Sequence, residues 1–466
     1  MKNRPLIAVI GGGLAGLSAA HRLRSLRPAR EVVLLEASPR LGGPIHTERA
    51  QGFVIEHGPD GFVRSKPSAM QLIRRLGMAD QVIETRSEFR KLYVLKRGVL
   101  QPVPAGLALV APTDALSWLR SPIASPWGRI RALVEPWIAT ASRDDESIAS
   151  FVRRRLGREL CELFAESILA GIHSGDPEAL SIHSTFPQLV AFERDHGSVI
   201  RGAQHARAKT QSQAPVSAFL SLRDGMGSLI DALASALGDQ RIRCNAPVES
   251  LTPLPDHRWQ IQCSDGRSLQ ADGVLLALPP RAIPRLVEPF APVAAARYAS
   301  VPHQSSVVVL LGYHRAQLGR SPDASGFVVP PSEPCEVHAS TWLSCKWPGR
   351  APEDYVLLRA FLGGFRAPTD HLLGDDELTE RAIRGMRRAL GVRGRPTLVR
   401  VKRYLDASPQ MTLGHADRMD EALDHLQPFV TLSVGAAGHR GVGIPDTIAQ
   451  AEASATTLSE SLDRLQ

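Results

Sequence analysis

Residues 6–16 read Leu-Ile-Ala-Val-Ile-Gly-Gly-Gly-Leu-Ala-Gly and decide the fold. The apolar run Leu6–Ile10 is typical of a strand buried in a parallel sheet. A glycine-rich turn follows at once, Leu17–Leu26 shows helical spacing of apolar residues, and Val32–Leu35 predicts a second buried strand. This order of strand, turn, helix and strand is one βαβ unit.

The spacing Gly11-x-Gly13-x-x-Gly16 predicts a dinucleotide-binding turn. The first glycine permits the tight turn, the second lets the backbone approach a pyrophosphate, and the third lets the helix pack on the strand. A pyrophosphate is then favoured by the free N–H groups and the dipole of the helix N-terminus. Glu36, twenty residues after Gly16, can accept hydrogen bonds from ribose hydroxyls. A plain tight turn is the alternative, and up to this point FAD and NAD are both open.

Composition excludes several classes of protein. Hydrophobic residues make up 43% and charged residues 22% of the 466, the balance of a folded globular chain and not of a disordered or fibrous one. The five cysteines form no CxxC pair, so we expect reduced thiols in the cytoplasm and no zinc or other metal site. The long uncharged stretch Gly98–Thr113 is interrupted by prolines, so it predicts no spanning helix.

The net charge of +8 predicts an acidic partner. Only seven of the 55 basic residues are lysines, and the arginines are spread along the chain without an aromatic-rich stripe. Nucleic acid is therefore a poor candidate, and acidic substrates or anionic lipids are better ones.

Pieces of the α/β unit return in the middle and at the end of the chain. The predicted fold class is α/β (α+β), with a Rossmann-like cofactor domain that is discontinuous over 1–86, 213–290 and 425–466. Residues 87–212 form a predicted helical insertion, and 291–424 form a predicted substrate-binding domain with a mixed sheet.

Longer motifs resemble those of a known family. Glu36-Ala-Ser-Pro-Arg40-Leu-Gly-Gly43 is similar to the FAD-binding amine oxidase superfamily, which decides for FAD over NAD. Within it, the chain resembles over essentially its whole length the oxygen-dependent porphyrinogen oxidases of haem synthesis. The strings that carry this likeness are His57–Phe62, Gly171–Asp176, Leu180-Ser181, Thr185–Pro187, Pro409-Gln410 and Gly441–Asp446.

The glycine motif and the resemblance together assign a set of residues to FAD. In this interpretation the backbone N–H groups of Gly435 and Val442–Ile444 polarise the flavin's carbonyl end, and Arg40 contacts a phosphate. The residues are Gly11, Gly12, Gly13, Leu14, Ala15, Gly16, Glu36, Ala37, Arg40, Gly42, Gly43, His57, Gly58, Pro59, Asp60, Val248, Gly435, Val442, Gly443 and Ile444. The loop Gly438–Arg440 is one residue longer than the family's form, which puts flavin affinity or redox tuning in question.

The resemblance implies FAD- and oxygen-dependent oxidation of a porphyrinogen, with hydrogen peroxide formed. Thr341-Trp342, Lys346–Pro348 and Leu357–Ala360 look most like the branch that oxidises coproporphyrinogen III to coproporphyrin III. Leu92 stands where the protoporphyrinogen branch often has an arginine. The alternatives are a protoporphyrinogen IX oxidase, another flavin amine oxidase or desaturase, and a non-catalytic tetrapyrrole-binding flavoprotein.

Candidates for the substrate site are basic residues and one histidine. The resemblance makes Lys66 a catalytic and substrate-binding cation, and Arg64 and His173 are further substrate-binding candidates. Arg90 and Lys91 are weaker candidates for the propionates. The alternative for each cation is a solvated surface charge, for His173 a buried core histidine, and for Lys346-Trp347 plain packing.

The helical insertion has two readings. Leu107–Val110, Leu116, Trp118, Leu119, Ile123 and Trp127 form an apolar cluster near Arg120, Arg129 and Arg131. This composition suits peripheral docking on the cytoplasmic face of a membrane, and packing of an ordinary helical layer explains it nearly as well. The chain as a monomer or as a homodimer is equally compatible with these patterns.

Overall fold

The computed structural model describes residues 5–141, 144–211 and 217–465, and in them a parallel and a mixed sheet dominate. The strands of these residues are β1 Leu6–Ile10, β2 Glu31–Leu35, β3 Thr47–Ala50, β4 Phe53–Glu56, β5 Phe62–Val63, β6 Val82–Glu84, β7 Tyr93–Lys96, β8 Val99–Pro102, β9 Leu107–Ala108, β10 Ala111–Pro112, β11 Phe219–Leu222, β12 Ile242–Arg243, β13 Val248–Pro253, β14 Trp259–Cys263, β15 Ser268–Ala271, β16 Gly273–Leu276, β17 His303–His314, β18 Gly326–Val328, β19 Ala339–Trp342, β20 Tyr355–Gly363, β21 Leu398–Pro409 and β22 Leu432–Val434.

The α-helices lie between these strands and in one continuous helical region. They are α1 Leu14–Leu26, α2 Ser68–Arg75, α3 Ala115–Leu119, α4 Pro126–Leu133, α5 Ile148–Leu156, α6 Arg158–Leu160, α7 Ala170–His173, α8 Ile182–Thr185, α9 Pro187–His196, α10 Val199–Gln211, α11 Gly227–Leu237, α12 Pro284–Val287, α13 Pro292–Ala299, α14 Leu343–Lys346, α15 Asp375–Leu390, α16 His415–Asp424 and α17 Ile444–Arg464.

A five-stranded sheet in the order β12-β2-β1-β16-β22 forms the first layer, and every pair in it is parallel. Its strands come from the start, the middle and the end of the chain, as the sequence predicts for a discontinuous cofactor domain. The predicted α/β class is confirmed.

Alternate residues of β1 face opposite cores, which explains its unbroken apolar run. Ile7 and Val9 pack with helices α1, α11 and α17 on one face of the sheet. Ala8 and Ile10 pack on the other face with the antiparallel sheet β13-β14-β15. A strand covered on both sides must be apolar at every position, since neither face reaches water.

A seven-stranded mixed sheet in the order β21-β17-β20-β19-β18-β7-β8 forms the second large layer. Its pairs are antiparallel except β18 with β7. Helix α15 covers one face, where Leu378, Ile383 and Met386 join the core of the sheet. Helices α3 to α10 form a separate core beside it, centred on residues such as Phe151, Phe164 and Leu189.

The predicted division into domains stays a prediction, and several elements pack across its proposed boundaries. Strands β7 and β8, predicted within the helical insertion 87–212, belong to the sheet of the predicted substrate-binding domain. Helices α13 and α16, predicted within 291–424, pack on the core of the parallel sheet. These contacts depend on long-range pairing, which local sequence patterns do not report. The predicted boundary at 212/213 lies outside the described residues.

Across residues 5–141, 144–211 and 217–465, no helix is both long enough and apolar enough to cross a bilayer. The five cysteines are free thiols, and Cys161, Cys263 and Cys345 are buried.

Candidate functional site

The turn between β1 and α1 contains two glycines, Gly11 and Gly16, whose positions leave no room for a side chain. Gly11 has a φ of +108°, and a Cβ there would lie 2.5 Å from the Ala277 carbonyl oxygen. A Cβ on Gly16 would lie 1.8 Å from the Gly11 carbonyl oxygen, so the helix could not pack against the strand. A Cβ on Gly13, in contrast, would meet no described atom within 4 Å. The structure therefore leaves open space at this end of α1.

Glu36 lies at the carboxyl end of β2, beside that space. One carboxylate oxygen accepts a hydrogen bond from the Gly12 backbone N–H at 2.6 Å. The other accepts from the Ser38 backbone N–H at 2.8 Å and from the Ser38 hydroxyl at 2.6 Å. These bonds hold the carboxylate beside the turn, and its contact with a ribose stays a prediction.

The second glycine pair closes the same edge of the sheet. Gly42 and Gly43 have φ values of +96° and +56°, a conformation that favours glycine. The Arg40 guanidinium donates to the Leu41 and Ile45 carbonyls at 2.9 and 3.1 Å, so it braces this loop. The phosphate contact expected of Arg40 stays a prediction.

Helix α17 brings a second helix N-terminus to this edge. No side chain of the described residues caps its Gly443 end, and the same holds for the Gly13 end of α1. Gly435 precedes the loop into α17, and a Cβ there would lie 2.4 Å from the Ser454 hydroxyl oxygen. Val248 is buried at the start of β13.

These features fit FAD. Two uncapped helix ends offer N–H groups and positive dipole ends to phosphate and to the flavin carbonyls. The Glu36 carboxylate can accept hydrogen bonds from a ribose. The space next to Gly13, which a side chain would fill, lets a ligand approach the backbone. All lie at the carboxyl edge of the parallel sheet, where doubly wound folds bind ligands.

The turn His57–Asp60 lies between this edge and the second sheet. The buried His57 shares a hydrogen bond of 2.8 Å between its Nε2 and the Glu48 carboxylate, and its ring stacks on His46 at 4.6 Å between centroids. A Cβ on Gly58 would lie 2.0 Å from the Pro44 carbonyl oxygen. The turn is therefore tightly seated on the loop that follows Gly43.

Asp60 is buried and anchors this turn to the second sheet. Its carboxylate accepts from Lys346 Nζ at 2.8 Å, Trp347 Nε1 at 2.6 Å and Arg359 Nη2 at 2.6 Å. Burial alone would raise the pKa of Asp60, but the charges of Lys346 and Arg359 outweigh it and hold that pKa well below its usual range. Because the Asp60 carboxylate is occupied by Lys346, Trp347 and Arg359, a contact of Asp60 with the cofactor would come from its backbone.

Beyond Asp60 lies a cavity of about 570 Å³, walled by the mixed sheet, the start of β11 and the helical region. Much of its wall is apolar, through residues that include Leu92, Ile172, Phe219, Phe327, Phe361, Leu362 and Phe365. Four cationic side chains also line it: Arg90, Lys91, Lys346 and Arg366. No carboxylate occurs among the described residues of the lining. The cavity is therefore suited to a large apolar ligand that carries several negative charges.

The predicted substrate residues divide into two groups. Arg90 and Lys91, the weaker candidates, line the cavity, and Lys66, Arg64 and His173 are not part of its described lining. Lys66 Nζ lies 2.7 Å from both carboxylate oxygens of Asp446, in the first turn of α17, and its side chain is 50% exposed.

Arg64 and His173 lie close to the cavity without facing it. The Arg64 guanidinium donates to the Ser217 carbonyl at 2.9 Å and pairs with Glu84. His173 is buried beneath the cavity segment 171–175, and burial lowers its pKa to about 4. The three residues remain predictions for substrate binding.

Two lining residues were missed from the sequence. Arg366 follows the turn Gly363-Gly364 at the end of β20, and His338 precedes β19. Burial, together with the charge of Arg366, lowers the pKa of His338 to about 4, so this imidazole is neutral at physiological pH. A glycine pair after a strand was the available signal, but it does not show which cavity the following arginine reaches.

The unusual loop Gly438–Arg440 is firmly packed. His439 is buried against the Tyr298 ring, and its carbonyl lies 3.1 Å from His415 Nε2. Burial lowers the pKa of His439 to about 4. The effect of this loop on flavin affinity or redox tuning stays a prediction.

Comparisons with known proteins agree with this geometry. Residues 14–458 match the family described as flavin containing amine oxidoreductase. A coproporphyrinogen III oxidase of Propionibacterium freudenreichii subsp. freudenreichii is 34% identical, over 96% of this chain and 90% of the relative. Human protoporphyrinogen oxidase is 29% identical, over 97% of this chain and 98% of its own. A solved oxidase structure from Exiguobacterium sp. 255-15 superposes with a TM-score of 0.86 at 28% identity, over 99% of both chains.

Proposed function

Since the chain belongs to the family of flavin containing amine oxidoreductases, and within it is an FAD-dependent porphyrinogen oxidase of haem biosynthesis, we propose that its substrate is coproporphyrinogen III. The product would be coproporphyrin III, with oxygen as the oxidant. Relatives named for coproporphyrinogen and for protoporphyrinogen have similar identities, so the choice must come from the site.

The charge of the cavity carries this proposal. Coproporphyrinogen III has a propionate on each of its four pyrroles, whereas protoporphyrinogen IX has propionates on two adjacent pyrroles and vinyl groups on the other two. The cavity lining has four cations and no described carboxylate, and although Lys346 pairs with Asp60 and Arg90 with Glu84 just outside it, this cationic lining suits the more highly charged substrate. Leu92 supplies apolar wall where the resemblance expects an arginine in the protoporphyrinogen branch.

Holding FAD falls to the carboxyl edge of the parallel sheet. Gly11–Gly16 and the start of α1 would bind the pyrophosphate, and Glu36 would bind a ribose. Gly435, directly after β22, and Val442–Ile444, at the start of α17, would contact the flavin's carbonyl end. The chemistry that FAD supplies is the acceptance of hydride from the substrate's meso carbons, with oxygen restoring the cofactor and hydrogen peroxide formed.

The protein's own residues position the substrate and keep the turn 57–60 in place. Asp60 ties that turn to Lys346, whose ammonium also lines the cavity. His338 is the titratable lining residue that is neutral near pH 7, and its lowered pKa makes it a weak base. Loss of the meso proton therefore needs no strong protein base, because tautomerisation of the pyrrole N–H groups can relay it.

Lys66 acts from the cofactor side in this proposal. Its ammonium neutralises Asp446, which would otherwise oppose the positive end of the α17 dipole where the flavin's carbonyl end is expected. Lys66 is thus a positioning residue for the cofactor environment, reached through Asp446.

The helical region supports peripheral contact with an anionic membrane. Of the predicted apolar cluster, Val110, Trp118 and Ile123 are buried in the helical core, whereas Leu116, Leu119 and Trp127 are exposed. Trp127 and Trp137 are 80% and 77% exposed, and Ile130 and Val134 lie between them in the chain. Tryptophans with adjacent arginines suit a membrane interface. Co-sedimentation with anionic vesicles that is lost in W127A/W137A supports this contact, and equal sedimentation of both proteins contradicts it.

The decisive experiment compares two substrates. The purified flavin-bound protein is mixed aerobically with coproporphyrinogen III or protoporphyrinogen IX, and porphyrin fluorescence is followed against the spontaneous rate. We expect a higher kcat/KM for coproporphyrinogen III. A higher value for protoporphyrinogen IX would refute the substrate assignment, and oxidation of neither would refute the proposed activity.

A further inference from the structure

Two cations at the Asp60 end of the cavity share one carboxylate. Asp60 accepts a hydrogen bond from Lys346 Nζ at 2.8 Å and another from Arg359 Nη2 at 2.6 Å. Arg359 Nη1 donates to the Gly58 carbonyl at 2.6 Å, and this acceptor is uncharged. Two positive charges and one negative charge therefore leave this cluster with an excess of one positive charge.

The neighbouring ion pair does not cancel this excess. Glu56 lies 3.8 Å from Arg350, and both side chains are fully buried, so the two charges compensate each other. Burial raises the pKa of Glu56, and protonation of Glu56 would only add to the positive charge of the region. A charge held away from water without a counterion is costly, so the cluster favours the binding of an anion.

Lys346 is the member of the cluster that reaches the cavity. Its side chain is 16% exposed and belongs to the cavity lining, whereas Asp60 and Arg359 lie outside the described lining. The Arg359 guanidinium lies over the Phe361 ring, with Cζ 5.0 Å from the ring centroid, and Phe361 lines the cavity. A ligand in the cavity can therefore contact the excess charge through the Lys346 ammonium.

The Lys346 ammonium keeps donors for such a ligand. An ammonium has three N–H groups, and in the part of the chain that the structure describes one oxygen, from Asp60, accepts from Lys346 Nζ. The ammonium also lies 5.1 Å from the Phe219 ring centroid and 5.0 Å from that of Trp347. Aromatic rings hold a cation in place without neutralising its charge. Lys346 can thus donate to a second oxygen while it stays bound to Asp60.

Building on the proposed function, we propose that Lys346 binds a carboxylate of the porphyrinogen at the Asp60 end of the cavity. The bound carboxylate gives a neutral cluster of two cations and two anions, with Lys346 between the anions. Asp60 fixes the ammonium beside the turn 57–60, which is seated on the loop after Gly43 at the cofactor edge. The contact therefore sets the orientation of the macrocycle relative to that edge.

The test compares two ligands with the same ring and different charge. Quenching of protein fluorescence gives the Kd of the flavin-bound protein for coproporphyrin III and for its uncharged tetramethyl ester. We expect K346M to weaken the binding of coproporphyrin III about tenfold, as loss of a charged hydrogen bond predicts. The Kd for the ester should change by no more than about twofold, because the ester has no charge for Lys346 to match.

Two further variants serve as controls for charge and position. K346R keeps a cation at the site and should retain most of the preference for coproporphyrin III over the ester. K402M should retain all of it, because Lys402 also lies over an aromatic ring, that of Tyr404, but outside the described lining.

Thermal unfolding without ligand separates substrate binding from a purely structural role. K346M leaves the neutral pair of Asp60 with Arg359, whereas D60N leaves two cations without their carboxylate. We therefore expect K346M to lower the Tm by less than about half as much as D60N.

Several results would overturn the assignment. Equal losses of affinity for both ligands in K346M, or a fall in Tm as large as that of D60N, would make Lys346 only the counterion of Asp60. An unchanged Kd for coproporphyrin III would remove Lys346 from the binding site. Failure of the wild-type protein to oxidise either porphyrinogen would instead refute the proposed function. Should K346M not fold, K346Q gives the same comparison, because its amide can still donate to Asp60 and carries no charge.

Discussion

The cofactor edge and the substrate cavity are built by different means. The cofactor edge is formed by backbone groups within one short motif. Its glycines Gly11, Gly13 and Gly16 have no side chain to fill the space. The cavity uses long side chains from distant segments, such as Lys91 and Arg366. A site made of backbone is sensitive to a single added atom, whereas a site made of separate charges loses function one charge at a time.

The largest effect is expected at the cofactor edge, from two glycine variants that differ only in position. G16A places a Cβ 1.8 Å from the Gly11 carbonyl oxygen, so we expect about 3 kcal/mol of destabilisation and loss of bound flavin. G13A meets no described protein atom within 4 Å, so the apoprotein should keep its Tm while FAD affinity falls.

Thermal unfolding of the apoproteins and flavin titration separate the two variants. Equal Tm values for G16A and the wild type would contradict the packing role of Gly16. Unchanged FAD affinity in G13A would contradict the placement of the cofactor beside α1.

The next effect is expected where the two regions are joined, at Asp60. D60N leaves Lys346 and Arg359 without their buried counterion, and we expect a loss of about 3 kcal/mol in the free energy of unfolding. The exposed pair of Asp224 with Arg49 is the control, since D224N should change stability by less than about 1 kcal/mol.

The effect of D60N should depend on pH. The folded pKa of Asp60 lies below its unfolded value of 3.8, so its contribution to stability is complete above that value and is lost as the pH falls below it. Denaturant unfolding of wild type and D60N at pH 7 and at pH 3 should therefore show a smaller difference at the lower pH. A difference that grows toward pH 3 would mean that Asp60 is not held as a carboxylate.

A moderate effect is expected in the cavity. K91M removes one cation from the lining, and we expect KM for coproporphyrinogen III to rise about tenfold with little change in kcat. K402M is the matched control, because Lys402 lies over the Tyr404 ring and outside the described lining. Steady-state kinetics that show the same KM in both variants would remove Lys91 from the site.

The smallest effect is expected at Lys66. Its ion pair with Asp446 is half-exposed, so K66A should lower kcat/KM by no more than about threefold. Because an unpaired Asp446 adds negative charge near the flavin's expected position, the flavin midpoint potential should fall, and K66A/D446N should restore it. A loss of kcat far beyond this, with an unchanged potential, would instead support direct contact of Lys66 with substrate.

The difference between the two regions also explains what the sequence could predict. The parallel strand, the glycine turn and Glu36 lie within 31 consecutive residues, and their spacing is dictated by one ligand, so local pattern was sufficient. The discontinuous domain followed from recurring α/β patterns. Arg90 and Lys91 were recognised as candidates only from their charge. Charge alone does not distinguish a residue of the cavity from the other basic residues among the 55.

What sequence reasoning missed depends on long-range pairing. Arg366 reaches the cavity because β20 pairs with β19, and β7 joins the same sheet through β18. Asp60 is bound by residues nearly 300 positions away, so its motif suggested a cofactor contact while its carboxylate serves a buried ion cluster. Lys66 was favoured because of the family resemblance, and its partner Asp446 lies 380 residues away.

The most direct test of the charged cavity is the affinity of the flavin-bound protein for two porphyrins that differ in their carboxylates. Titration with coproporphyrin III and with protoporphyrin IX, followed by quenching of protein fluorescence, measures Kd for each. A cationic lining without a described carboxylate predicts that coproporphyrin III, with four propionates, binds at least about tenfold more tightly than protoporphyrin IX, with the advantage shrinking as salt increases. Equal affinity, or tighter binding of protoporphyrin IX, would contradict the account.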